Sequence, residues 1–563
     1  MAFQVSPGVQ VKEIDATSVI PAVSTSIGGF AGAFNWGPAE EIKLVSSEDE
    51  MAAIFSTPDD NTAKYFLTAA SFLKYGNALK VVRVVPADAE NACVGSTPAL
   101  VKNDEEYESA SLSNANQGEW IAKFPGALGN SLKVEVCTAG GGFSGWAYAG
   151  QFDAAPDTSD FATNNGATNA DDEIHIVVVD EDGHFTGEPG SVLETFAFAS
   201  QASDAKDSSG TSLYYKNVVN SRSQYIAWAS HDDELTDAGN NVSGPGADSA
   251  FTTVASVKSY SLIGGSDGGT ITPAVVALGY DLFEDAETVD VNLLFACPDD
   301  NGSTTIAVDL LDIADARKDC VAFISPPVAD STGGSPLTDV LAFNTALGRS
   351  SSYGFLDSSA VYVYDKYNDV YRYIGASGIT AGLCANTDQV ADAWFSPAGV
   401  NRGQLRGVTK LAFNPNKAQR DSLYKAGVNP LVSFPGEGTM LFGDKTMLKR
   451  PSAFDRINVR RLFITLEKAI STAAKAQLFE FNDEFTRAQF RNMIEPFMRD
   501  VKGRRGVTDF LVVCDDTNNT GQVIDTNSFV ADIYIKPARS INFITLNFIA
   551  TRTGVDFSEV AGG

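Results

Sequence analysis

Residues 458–492, NVRRLFITLEKAISTAAKAQLFEFNDEFTRAQFRN, lead to DFLVVCDDTNNT at 509–520 and then to ADIYIKPARSINFITLNFIATRTG at 531–554. Leu462, Leu466, Ile470, Ala473, Ala474 and Leu478 recur on one helical face while Glu467, Lys468 and Lys475 lie off it. Phe490, Ile494, Phe497 and Val501 form a second stripe. The spacing predicts two amphipathic helices, the second capped by Asn482 and bent or ended at Pro496. Two alternating strands follow, separated by Lys536-Pro537-Ala538-Arg539. In the last, Ile544, Leu546 and Phe548 alternate with Thr545 and Asn547. With no later element to pair against, strands of that length invite pairing with another chain.

Working outward, the chain of 563 residues is 44% apolar, enough for substantial cores and about three or four domains. MAFQVSPGVQ lacks a basic region followed by an apolar one, and VNLLFAC and INFITLNFIA are far too short to span a bilayer. A soluble protein with no export signal and no membrane insertion is expected. Cys93, Cys137, Cys297, Cys320, Cys384 and Cys514 lie far apart with no CxxC pair, which predicts reduced core cysteines and no zinc site.

The net charge of −30 is unevenly spread. Residues 401–563 hold 23 Lys and Arg against 17 Asp and Glu, a balance of +6, leaving 18 against 54, or −36, in residues 1–400. So acidic a majority argues against direct nucleic-acid binding, which needs a basic face to release counterions.

Near the N-terminus, Val9 and Val11 alternate with polar residues after Pro7-Gly8, which predicts a short edge strand in an N-terminal arm. Ile27–Phe34 reads as a strand that stops at the turn Asn35-Trp36-Gly37-Pro38. Ser47 and Glu50 have capping-box spacing for a helix ending near Phe55; a second helix spans Thr62–Tyr75, and Leu79–Val85 is a buried strand. From Pro86 to Gly269, clusters of Ser, Asn, Asp and Gly separate short strands such as LKVEVC and EIHIVVVD, the texture of a loop-rich β region. Helix Pro273–Phe283, strand VNLLFAC, helix Thr305–Lys318 and strand CVAFISPP then alternate. This order predicts βαβ units and a partly parallel sheet, extended by AVYVYD and its hairpin partner around Tyr371-Arg372-Tyr373.

Catalytic signatures are weak. Gly264-Gly265-Ser266-Asp267-Gly268 matches a GxSxG nucleophile elbow, but His175, His184 and His231 all precede Ser266, leaving no downstream base of the α/β-hydrolase kind. Asp180-Glu181-Asp182-Gly183 and Asp515-Asp516-Thr517-Asn518-Asn519 resemble calcium loops yet lack the glutamate at the twelfth position, and turns explain both. GxxxxGK[ST], HExxH and a strand-linked GxGxxG are absent. No catalytic residues, metal ligands or cofactor are expected.

In chain order, SPGVQVKEID (6–15), STSIGGFAGAFNWGP (24–38), SSEDEMAAIFSTP (46–58), EDGHFTGEPGSVLETF (181–196) and LIGGSDG (262–268) follow one family's pattern. The C-terminal third adds NPLVSFPGEGTMLFGDKTM, INVRRLFITLEKAI, LFEFNDEFTRAQFRNMIEPF, FLVVCDDTNNT and IYIKPARSINFITLNF. In this order the blocks are highly specific, and over nearly its whole length the chain resembles the contractile tail sheath proteins of myovirus-type bacteriophages.

The resemblance implies a mixed α/β multidomain fold: a 1–24 arm joining the inner domain, a middle domain of 25–90 and 255–424, an outer insertion of 91–254 and an inner domain of 425–563 with a terminal arm. It implies strand exchange between copies through Val9, Val11, Ile14, Ile533, Ile535, Ile544, Leu546 and Phe548. It further implies a helical homopolymer of six-fold rings with a tail tube protein, baseplate and tail terminator as partners, located in the virion and assembled in the host cytoplasm. Arg487, Arg491, Lys502, Arg504 and Arg505 are candidates to face the tube; the alternative is that Asp483–Arg487 and Arg491–Glu495 simply decorate a solvated helix as i,i+4 pairs, each contributing about 0.2–0.5 kcal/mol. Other readings are the sheath of a phage-derived or secretion-type injection machine, a serine hydrolase using Ser266, and a virion adhesin.

Overall fold

The computed structural model describes residues 23–542 apart from 246, 300 and 301. The described chain divides into two compact units, 23–393 with 397–460, and 394–396 with 461–542.

The larger unit is organised on a seven-stranded sheet. Its spatial order is Val428–Asn429, Gly354–Asp357, Val321–Ile324, Leu293–Phe295, Gly28–Gly32, Leu79–Arg83 and Ile42–Val45. Neighbours are parallel except the last pair. Helices Pro273–Asp281 and Thr305–Arg317 supply expected crossovers. The glycines of the central strand GGFAG have a steric reason: a Cβ on Gly28 would meet Phe72 at 2.8 Å, and one on Gly29 would meet Val291 at 2.7 Å. The close approach lets Phe72 stack on Phe295 at 5.2 Å. At the expected turn, Gly37 takes φ 95°.

Ser47 caps helix Glu48–Phe55 by accepting from Glu50 N at 3.2 Å, but the Glu50 carboxylate returns to Ser46 N at 2.8 Å, so the box closes one residue early.

The hairpin of AVYVYD does not extend the parallel sheet. Val361–Asp365 pairs with Val370–Ile374 and Val408–Leu411 in a separate antiparallel sheet. The buried serines after Asp357 redirect the chain: Ser358 Oγ accepts from Leu431 N and Ser359 Oγ from Phe413 N, both at 3.0 Å. These hydroxyls satisfy neighbouring backbone where the parallel ladder stops.

The β region is a four-stranded antiparallel sheet ordered Ser191–Ser200, Glu173–Asp180, Leu132–Thr138, Lys258–Ser261, with Trp120–Ala122 pairing Ile226–Trp228 beside it. Strand Lys258–Ser261 and the bridges Cys93–Ile263 and Glu90–Ser266 carry its end beyond the expected residue 254. Arg83, fully buried, clasps the junction, donating to Phe34 O, Gly37 O and Pro125 O at 2.7–2.8 Å. The expected inner domain from 425 is also corrected. Val428–Asn429 is an edge strand of the seven-stranded sheet, so the smaller unit takes up the chain at 461.

Candidate assembly interface

The smaller unit turns on one helix and one hairpin. Helix Glu484–Gly503 starts at Asp483, whose carboxylate accepts from Thr486 N at 2.8 Å, one residue later than the expected cap. Asn482 is a latch instead: its Nδ2 donates to Ser528 O at 2.7 Å and its Oδ1 accepts from Arg487 Nη1 at 2.9 Å. The helix runs on through Pro496, because Pro496 and Asn492, whose carbonyl loses its donor, both lie on the exposed face. Phe490, Met493, Ile494, Met498 and Val501 form its buried stripe, with Phe497 only half-buried. The preceding helix ends at Ala474, which leaves Leu478 outside its stripe and 63% exposed.

At the C-terminus of the long helix, Arg505 takes φ 68° while Gly506 N bonds Val501 O at 2.9 Å and Arg505 N bonds Lys502 O at 3.1 Å. This is a Schellman closure with arginine where glycine is usual. Trp394 Nε1 donates to Arg504 O at 3.1 Å, and a Cβ on Gly506 would come within 3.1 Å of the Trp394 ring.

Strand Val507–Val513 then returns along the helix and pairs antiparallel with Asp532–Pro537, setting Phe510 opposite Ile535 and Val512 opposite Ile533. Val512 is buried and Ile533 and Ile535 half-buried, whereas Leu511 and Tyr534 face outward, 58% and 60% exposed. The strand expected to lack a partner thus finds one inside its own chain. The sequence signal for that partner is the apolar run FLVVC at 510–514. Among the described residues this sheet has two strands and no third, so each contributes an outer edge. Val9, Val11, Ile14, Ile544, Leu546 and Phe548 lie outside the described residues.

The DDTNN turn locks the hairpin. Asn518 Nδ2 donates to Val513 O at 2.8 Å, and Asn519 exchanges two bonds with Val530 at 2.8 and 2.9 Å. Bonds from the Thr517 hydroxyl and amide hold the Asp515 carboxyl below its ordinary value.

The candidate cations separate. Arg487 is 6% exposed, turned inward onto Asn482 and Asp516, which corrects its expected outward position. Arg491 is half-buried; Lys502, Arg504 and Arg505 are exposed, with Lys502 3.0 Å from Asp509 and Arg504 3.6 Å from Asp500. Glu495 pairs with Arg499 at 2.8 Å rather than with Arg491. Ser266 sits in a bridge to Glu90 and accepts from Gly268 N at 3.1 Å. The ring nitrogens of His175 bond Ala154 O and Phe198 N, and those of His231 face Tyr214 and Tyr215.

An α/β scaffold carrying a β-rich insertion, with a second unit whose sheet has two strands among the described residues, describes a structural subunit suited to association by strand addition. Family models agree over most of the chain: the tail sheath protein Gp18 domain III N-terminal region matches residues 25–84, the phage tail sheath protein central domain 269–447 and the phage tail sheath C-terminal domain 449–551. The tail sheath protein of Enterobacteria phage T4 is 34% identical over 99% of each chain, and that of Vibrio phage KVP40 is 33% identical over 99% of each. In fold, the sheath tail protein of Listeria innocua matches with a TM-score of 0.54 at 12% identity, covering 93% of this chain and 94% of that one. A contracted sheath of an extracellular contractile injection system matches at 0.51 and 12% identity, over 98% and 99%. The chain belongs to the phage tail sheath protein family and is a contractile sheath subunit.

Proposed function

We propose that copies of this chain link through their terminal arms: residues near Val9–Ile14 and Ile541–Phe548 leave each subunit and add to the outer edges of the Val507–Val513/Asp532–Pro537 sheet in its neighbours. The observation that carries this reading is that sheet, two strands wide among the described residues and latched by Asn482, Asn518 and Asn519. Ile533 and Ile535 belong to the receiving sheet rather than to the travelling arm. Main-chain ladders hold the subunits together while side-chain interfaces break and re-form as they slide.

Six-fold rings joined in this way surround a tail tube protein in the host cytoplasm, between baseplate and tail terminator, in an extended and metastable state. Contraction, triggered at the baseplate, improves the buried surface of each subunit. A few kcal/mol per subunit, summed over many, drives the tube through the host envelope without a nucleotide. The exposed cations Lys502, Arg504 and Arg505, with the half-buried Arg491 about three turns earlier on the helix, face the tube. Relatives at 33–34% identity are phage proteins, whereas the injection-system sheath stands at 12%, so a virion is favoured over an injection machine.

Negative-stain microscopy of the full chain across a concentration series, with and without tube protein, tests this. Hollow striated cylinders are expected, and deleting 543–563 should abolish them while sparing the fold; tubes from the truncated chain would overturn arm exchange.

A further inference from the structure

We infer that the segment Leu478–Phe485, the loop before the long helix with the start of that helix, is the side-chain seat for residues 541–549 of a neighbouring copy. The inference rests on the arm exchange proposed above and adds where the arriving strand is gripped.

Leu478, Phe479, Phe481 and Phe485 are 63%, 104%, 83% and 76% exposed. So dense an apolar display on a soluble surface marks an interaction site. Phe479 also holds φ at 71°, a left-handed conformation that bulky residues rarely adopt and that persists where an exposed side chain is put to use.

The loop is fixed in place. The Asn482 bond to Ser528 O and the Arg487 bond to Asp516 tie it to the end of the hairpin where Val507–Val513 leaves and Asp532–Pro537 begins. A strand adding to the hairpin edge therefore passes the aromatic cluster.

The occupant follows from the rest of the chain. Twenty-one residues follow Asn542, about 70 Å if extended, against roughly 20 Å for a strand of the hairpin. INFITLNFI alternates apolar and polar residues, offering one apolar face to the loop.

The test places p-benzoylphenylalanine at position 481 of the full chain and irradiates assembled tubes. Cross-linked dimers mapping to 541–563 of a second copy are expected; capture of the tube protein, or of the same chain's own terminus, overturns the seat. In parallel, the triple variant Phe479→Ser, Phe481→Ser, Phe485→Ser should raise the critical concentration for polymerisation about tenfold with an unchanged melting profile. A change within twofold also overturns it. The deletion of 543–563 separates the two readings. If that deletion abolishes tubes while the triple variant polymerises like the native chain, only the seat is wrong; if the truncated chain still forms tubes, arm exchange itself fails.

Discussion

Arg487 Nη2 donates to Asp516 Oδ1 at 2.6 Å, joining the first turns of the long helix to the turn that closes the hairpin. Asp516 is 84% exposed, so its charge is heavily screened, but the Arg487 side chain is buried and also holds Asn482. Arg487→Met should therefore lower the stability of the smaller unit by about 2 kcal/mol, mainly through lost charge-assisted hydrogen bonds. Denaturant unfolding checks this, and loss of tube formation should follow because the receiving edge loosens.

Arg505→Gly is expected to do the opposite. Its left-handed backbone at the Schellman position costs an L-residue about 1 kcal/mol, which glycine relieves. Thermal melting should rise while tube-templated growth weakens, if the arginine is kept there for its charge.

Arg83 is buried with three backbone carbonyls as acceptors, and burial pushes its guanidinium down to about 10 against the opposing pull of Asp267. Arg83→Met leaves those carbonyls without a donor, a loss of at least about 3 kcal/mol. Limited proteolysis should then cut the two crossings near 86–90 and 262–269 faster than in the native chain.

Asp357 is fully buried, bonded by the Ser325 hydroxyl and by Ser359 N at 3.3 Å. Burial pushes its carboxyl up to about 7, the two bonds opposing. The folded value lies above the unfolded one, so the folded chain holds an extra proton between about pH 4 and 7. Its stabilising contribution is full at the acidic end and is lost as pH rises through 7. From pH 5 to 8 the native chain should lose melting temperature relative to Asp357→Asn; parallel curves would refute the assignment.

Much of the scaffold was legible. Helices at 48–55, 273–281 and 305–317 and strands at 79–83, 132–138 and 173–180 match local patterns; strand 132–138 begins with alternating burial, whereas 79–83 and 173–180 are buried on both faces and read as short apolar runs. The Asp483 cap was missed because Asn482 and Asp483 are both good caps, and the choice fell to the hairpin, which takes Asn482 for Ser528. Arg487 was misread for a similar reason. Its i,i+4 spacing to Asp483 is local, while Asp516, which takes it, lies 29 residues away.

The amino-acid sequence by itself determined the βαβ order, which depends on short-range pattern, and its ordered blocks carried the resemblance to the family. Only the tertiary structure decided that Ile533 and Ile535 pair with Val512 and Phe510, that Arg487 is internal, and that Leu478–Phe485 stands exposed at the hairpin's end. Strand partners and burial arise from contacts between segments distant in sequence, and local periodicity places a residue on a face without saying what that face meets.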